Sequence, residues 1–311
     1  MKRRLITFDW ALKRLLRSKA NYEVLEGFLS ELLREDITIL DILESESNKE
    51  TRLDKSNRLD IKVKDQKGEI ILIEFQYEPE FDYLQRILFG ASKAITEHMA
   101  ESEHYQGVVK VISVNILFFN LGHGTDYVYH GRTVFQGIHY HDELHLDDRQ
   151  KAYFGKEYPH QLYPEYYLLE IRRFDDIARD SLDEWIYFLK HQQIKEEFQA
   201  KGLKKAKEIL DIINLPGKER AAYEWHVEER RYRASLYDSA IFKGRMDGKK
   251  EGLKEGREKG REEGREESAI TMAKKMKQKG LPVDEIAEYT GLSADRINEL
   301  HSEARARTDK V

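Results

Sequence analysis

Glu74 stands inside Ile70-Ile71-Leu72-Ile73-Glu74-Phe75-Gln76, a run whose other members demand burial. A carboxylate taken out of water without a partner is costly, so Glu74 needs a counter-charge or a ligand. Upstream, Arg58 to Lys64 alternates: Leu59, Ile61 and Val63 fall on one face, and Asp60, Lys62 and Lys64 on the other. Asp65-Gln66-Lys67-Gly68 between the two runs is a turn signal. A hairpin turning there sets Asp60 opposite Glu74, with Cβ atoms ~4.5–5.5 Å apart, where like charges repel. Two carboxylates so held ask for a cation, and an oxygen donor set suits Mg²⁺ or Mn²⁺. By the two-residue period Lys62 and Gln76 share the face of the two acids, within reach of a substrate bound there. On pattern alone a second reading has equal weight: Lys62 neutralises the acids and the set is an ion-pair network.

The elements that must position these residues follow from periodicity. Trp10, Leu12, Leu15 and Leu16, then Val24, Leu25, Phe28, Leu29, Leu32 and Leu33, recur at helical spacing, giving one or two amphipathic helices over 8–34. Ile37 to Leu43 reads as a strand, and Ile70 to Phe75 as a strand covered on both faces. Pro79 opens a helix with Phe81, Leu84, Leu88, Ala91 and Ile95 on one face. Lys110 to Phe119 is a further strand, Tyr127 to Tyr140 strand and loop, and Tyr166 to Ile171 the last strand, before a helix from about Ser181 to Gln199. The order α-β-β-β-α-β predicts an α/β fold with mixed strand directions.

Taken together, Arg58-Leu59-Asp60-Ile61-Lys62-Val63-Lys64, Gly68 and Ile73-Glu74-Phe75-Gln76, followed by Phe81 and Arg86, resemble the PD-(D/E)XK nuclease superfamily. More narrowly the chain is similar to the recombination-promoting nuclease and transposase group. The opening Thr7-Phe8-Asp9-Trp10-Ala11-Leu12-Lys13, the helix to Leu33 and the C-terminal tail also fit that group. The resemblance implies a restriction-endonuclease-like αβββαβ core with a mixed sheet, followed by an α-helical C-terminal region. It implies a Mg²⁺-dependent (or Mn²⁺-dependent) DNA endonuclease that hydrolyses phosphodiester bonds, in recombination or mobile-element transfer, with Asp60 and Glu74 as metal ligands. The superfamily's usual lysine falls on Gln76, and a glutamine brings no positive charge. Lys62 is the expected substitute. Asp9 is either an additional acid of the site or a helix N-terminal acid favoured by the dipole. The other functional reading is a catalytically impaired nucleic-acid-binding or regulatory protein on the same fold. A three-acid transposase is disfavoured, because both acids lie on adjacent hairpin strands.

Composition sets outer bounds. The 311 residues include no cysteine, which removes disulfides, thiolate metal sites and cysteine nucleophiles. No run approaches the ~20 apolar residues of a membrane span, and the basic start leads into no apolar core, so a soluble cytoplasmic chain without membrane contact is expected. Charged residues make up 36%, well above the ~25% of ordinary domains. Much of the excess lies in Arg245 to Glu267, with eight bases and eight acids and a glycine every fourth residue from Gly244 to Gly264. Six such glycines cost a helix ~1 kcal/mol each, so a helical connector and a flexible charged linker weigh equally. The expected organisation is a nuclease domain over 1–214, a helical linker over 215–243, the glycine connector over 244–267 and a small helix-turn-helix-like module over 268–311. In that module Gly291 is the turn, Ser293 the N-cap, and Ala294 to His301 the second helix. It serves DNA positioning or acts as an interaction module, and the helical C-terminal region is the expected seat of homo-oligomerisation. His139, His141 and His145 have metal-like spacing but read as a solvated loop, and Tyr163 to Tyr167 as a packed edge strand.

Overall fold

The computed structural model of the protein describes residues 5–14, 18–43, 61–99, 104–211 and 215–300. Two compact units divide between Tyr232 and Arg233.

The first unit opens with helices α1 (Phe8–Arg14) and α2 (Tyr22–Leu33) and strands β1 (Ile39–Leu43), β2 (Ile61–Asp65) and β3 (Ile70–Gln76). Helix α3 (Tyr83–Glu97), strands β4 (Val111–Leu117) and β5 (Val128–Gly131), helix α4 (Asp148–Phe154), strand β6 (Glu165–Glu170) and helices α5 (Ser181–His191) and α6 (Leu203–Ile209) follow. The six strands form one mixed sheet in the order β1-β2-β3-β4-β6-β5. The β1–β2, β2–β3 and β5–β6 pairs are antiparallel, and β3–β4 and β4–β6 are parallel. This is the αβββαβ arrangement the sequence predicts.

The sheet is covered on both sides, which is why β3 and β4 are apolar almost throughout. Ile71, Ile73 and Phe75 of β3 and Ile112, Val114 and Ile116 of β4 face the main core, with Phe8, Phe28, Trp185 and Phe188. Phe8 packs edge-on against Phe28 and Phe75. The opposite face, with Ile70, Leu72 and Val111, takes Ala91 and Ala94 of α3. The hairpin turn is made by Gly68 at φ 79, a left-handed conformation that glycine adopts without Cβ strain.

Three details depart from the sequence reading. Helix α3 buries Tyr83, Ile87, Gly90, Ala91 and Ala94, while Phe81, Leu84 and Leu88 are exposed. The inward face is rotated by roughly a quarter turn from the one predicted, because small residues let the helix sit close to the sheet. Helix α5 stops at His191, where Gln192 takes a left-handed φ of 56, and Glu184 then accepts from the backbone N–H groups of Gln199 and Ala200. Strand β6 lies between β4 and β5, so Tyr166 and Tyr167 are internal to the sheet and not on its edge.

Helix α7 runs from Gly217 to Gln278. Within the first unit, Tyr223 of α7 is buried, packs against Trp10 and receives a hydrogen bond from the Thr7 backbone N–H. In the second unit the glycines from Gly244 to Gly264 are all helical, and a Cβ at any of them would meet open space. Ala273 of α7 forms a small core with Ile286 of α8 (Val283–Thr290) and Ile297 and Leu300 around α9 (Ala294–Glu299). Gly291 caps α8 at φ 71, and Ser293 caps α9 by accepting from the Arg296 backbone N–H. The last residues of the predicted second helix, including His301, lie outside the described residues.

Candidate active site

The β2–β3 register pairs Lys64 with Ile70, Val63 with Ile71, Lys62 with Leu72 and Ile61 with Ile73. That is the register from which the sequence sets Asp60 opposite Glu74. Asp60 itself, with Arg58 and Leu59, lies outside the described residues. Glu74 pairs with Asn115 across the parallel β3–β4 ladder and is 4% exposed.

The counter-charge of Glu74 comes from Arg86 on α3, whose Nη2 donates to Glu74 Oε1. The same guanidinium grips Glu80 through Nη1 at 2.8 Å to both carboxylate oxygens. Gln76 closes the chain: its Nε2 donates to Glu80 Oε1 at 2.8 Å and to the Glu78 carbonyl at 2.9 Å. Burial alone would weaken the protonated form of Arg86; Glu74 and Glu80 outweigh it and raise its pKa. Tyr83, fully buried beneath this group, donates to Asn115 Oδ1 at 3.1 Å and anchors the first turn of α3. The loop between β3 and α3 is thus pinned by the motif residues themselves.

Lys62 lies on the α3 side of the sheet, but its charge goes elsewhere. It is buried and donates to Glu97, near the far end of α3, at 2.9 Å. Among the described residues it is therefore matched by a helix acid.

Asp9 belongs to a different assembly. Its neighbour Phe8 packs on Phe75, whose side chain points away from that of Glu74. His226 Nε2 lies 3.1 Å from Asp9 Oδ2, and Arg230 Nη1 is 4.0 Å from Oδ1. Arg230 also stacks over the Tyr77 ring and donates to its hydroxyl at 3.0 Å. Burial raises the pKa of Asp9, but the hydrogen bond and charge of His226, with Arg230, overcome it and bring it down to about 2.

The donors described at the end of β3 are oxygens, the type a hard divalent cation takes. Among the described residues no group of three or more acids or histidines could hold a metal; Asp60, the expected second ligand, lies outside them. His139, His141 and His145 are exposed. At the opposite end of β3 a polar cavity of about 210 Å³ is lined by Lys67, Lys110, Lys156, Glu35, Glu69 and Glu165. Each of these lysines is paired with one of these glutamates, so the cavity is an internally neutral ion-pair cluster.

A family profile described as PD-(D/E)XK nuclease family transposase matches residues 6–240. The chain belongs to that PD-(D/E)XK family. No curated protein and no solved structure matches it. The PD-(D/E)XK match takes in the whole hairpin, α3 and the part of α7 that carries His226 and Arg230.

Among the described residues no helix is long and apolar enough to cross a membrane. Sequence reasoning missed Glu80 as a partner and Arg86 as the counter-ion of Glu74. The available signal was an arginine three residues after Tyr83, on the helix that directly follows the motif strand.

Proposed function

We propose that the protein is a metal-dependent DNA endonuclease that hydrolyses phosphodiester bonds, with Asp60 and Glu74 as the ligands of a Mg²⁺ or Mn²⁺ ion. The observation that carries this is a buried carboxylate on a motif strand, beside a guanidinium, on a hairpin whose described register is the one from which the sequence sets Asp60 opposite it. A divalent cation so held supplies Lewis acidity toward the scissile phosphate and activates water. Arg86 fills the place the family lysine leaves at Gln76, and its planar fork suits a phosphate as well as it suits Glu74 and Glu80. Gln76 commits its amide N–H groups to Glu78 and Glu80, which leaves its carbonyl oxygen as an acceptor to orient the attacking water. The proton released from that water passes to Glu74 or to a phosphate oxygen of the substrate. In this reading Lys62 has a structural part only.

The deciding experiment is nicking of supercoiled plasmid with Mg²⁺ or Mn²⁺ by the parent, Asp60→Ala and Glu74→Gln. Cleavage by the parent and loss in both variants is expected; undiminished cleavage in both variants would sink the proposal. The second reading, a nucleic-acid-binding protein without catalysis, rests on Arg86 already neutralising Glu74. Salt-dependent DNA binding with no metal binding would select it.

A further inference from the structure

The loop that carries Glu80 also carries Phe81, a fully exposed ring. Exposed apolar side chains scattered singly need no explanation, but Phe81 is not isolated. Leu84 and Leu88 continue from it along one face of α3 and are exposed as well. This ridge begins one residue from the carboxylate that Arg86 and Gln76 both hold. The loop is held from within by the bonds of Gln76 to Glu78 and Glu80, so the backbone that carries the ring stays beside Glu80, which shares Arg86 with Glu74. Its surroundings select what it can meet. Glu78, Glu80 and Asp82 flank the ring in sequence; Glu80 is already held by Arg86, and the charges of Glu78 and Asp82 disfavour a phosphate lying against the ring. An uncharged, flat, polarisable face is the complementary partner, and a nucleobase has one.

We infer that Phe81 is a positioning residue that stacks on a nucleobase beside the scissile phosphodiester, with Leu84 supporting the edge of that base. The inference rests on the nuclease reading above and adds a substrate contact to it. Stacking on an aromatic side chain is tolerant of base identity, so the contact holds the strand near Glu74 without specifying sequence. An apolar side chain at such a place can also part a base step and favour unpaired or distorted DNA.

The test uses the full chain and short oligonucleotides, in duplex and single-stranded form, with Mg²⁺ or Mn²⁺. Phe81→Ala is expected to raise KM roughly ten- to a hundredfold while kcat stays within a few-fold, and Phe81→Trp to restore KM. Because the ring is fully exposed, Tm should not move. A single abasic nucleotide next to the cut should reproduce the KM loss in the parent and add nothing in Phe81→Ala. Parental KM in Phe81→Ala, or equal loss in Phe81→Trp, overturns the inference. So does a change in sedimentation mass in place of KM, which would assign the ridge to a second copy of the chain. A parent that cleaves neither substrate overturns the nuclease reading instead, and the stacking is then judged by oligonucleotide affinity: a parent that binds no better than Phe81→Ala overturns it too.

Discussion

Two buried acids, Glu74 and Asp9, are each met by an arginine, yet their surroundings differ. Glu74 takes its arginine from the helix that directly follows its strand, and the guanidinium is shared with a second, partly exposed acid, Glu80. Asp9 is met by His226 and Arg230, more than two hundred residues away, and one carboxylate faces two basic side chains. The first arrangement is local and rich in acid. The second is long-range and rich in base, and it fastens the start of α7 to α1 and the end of β3. An excess of carboxylate beside a solvent-facing loop invites a cation. A carboxylate closed off by two basic groups holds a joint.

The largest test of this contrast is the proposed ligand. Glu74→Gln keeps the shape and a hydrogen-bond acceptor for Arg86 but removes the charge. Plasmid nicking is expected to fall about a thousandfold, the scale of losing a preorganised charge-stabilising group. Asp9→Asn should do the opposite, leaving nicking within a few-fold while lowering stability by about 3 kcal/mol. Breaking one side of a buried pair costs ~3–5 kcal/mol, and His226 and Arg230 keep about a quarter of their side-chain surface exposed, which softens the loss. Urea unfolding and nicking measured on the same samples decide it. An Asp9→Asn protein with parental stability and no nicking would make Asp9 a member of the active site and erase the distinction.

A smaller effect separates the two acids by pH. The pKa of Asp9 is lowered from 3.8 to about 2, so its contribution to stability is complete above the unfolded value and fades as pH falls through the folded one. The window is about pH 4 down to about pH 2, and the shift corresponds to ~2 kcal/mol. The stability difference between the parent and Asp9→Asn should be largest around pH 5 and shrink across that window. A difference that does not change between pH 4 and pH 2 would mean that the His226–Asp9 pair does not form in solution.

How much of this was legible in the sequence follows from the range of each interaction. The alternation of Ile61 to Lys64, the turn at Gly68 and the apolar run from Ile70 fix one another locally, so the hairpin and its register could be read directly. The αβββαβ order followed from the same short-range signals. The inward face of α3 could not be read, because Leu84 and Leu88 are larger and more apolar than Gly90, Ala91 and Ala94. Close packing against the sheet favours the small residues and leaves the leucines outside. That rotation is what brings Arg86 to Glu74, so the counter-ion was missed for the same reason as the face. The partners of Asp9 gave no local signal: His226 and Arg230 sit four apart on a helix whose other residues are mostly polar. The charged glycine segment was evenly balanced on propensity, and its helical state in α7 has no local determinant that would have decided it.

The smallest expected effect concerns Lys62 and bears directly on which cation serves the site. Its ammonium is almost fully buried and its partner Glu97 keeps 22% of its side-chain surface exposed. In Lys62→Met the unbranched stem still fills the space between β2 and α3, and Glu97 can regain water at its exposed edge. The expected loss of stability is therefore about 1 kcal/mol, well below that for breaking a fully buried pair. Nicking should stay at the parental rate, whereas Arg86→Lys, which keeps the charge but loses the fork shared by Glu74 and Glu80, should slow it by about tenfold or more. The pair of variants is informative because each keeps what the other removes: Lys62→Met leaves the fork intact, and Arg86→Lys leaves the Glu97 pair intact. If Lys62→Met lost activity at parental Tm while Arg86→Lys kept it, the charge serving the phosphate would come from β2. Arg86 would then hold Glu74 in the way that His226 and Arg230 hold Asp9, and the two acids would no longer differ in kind.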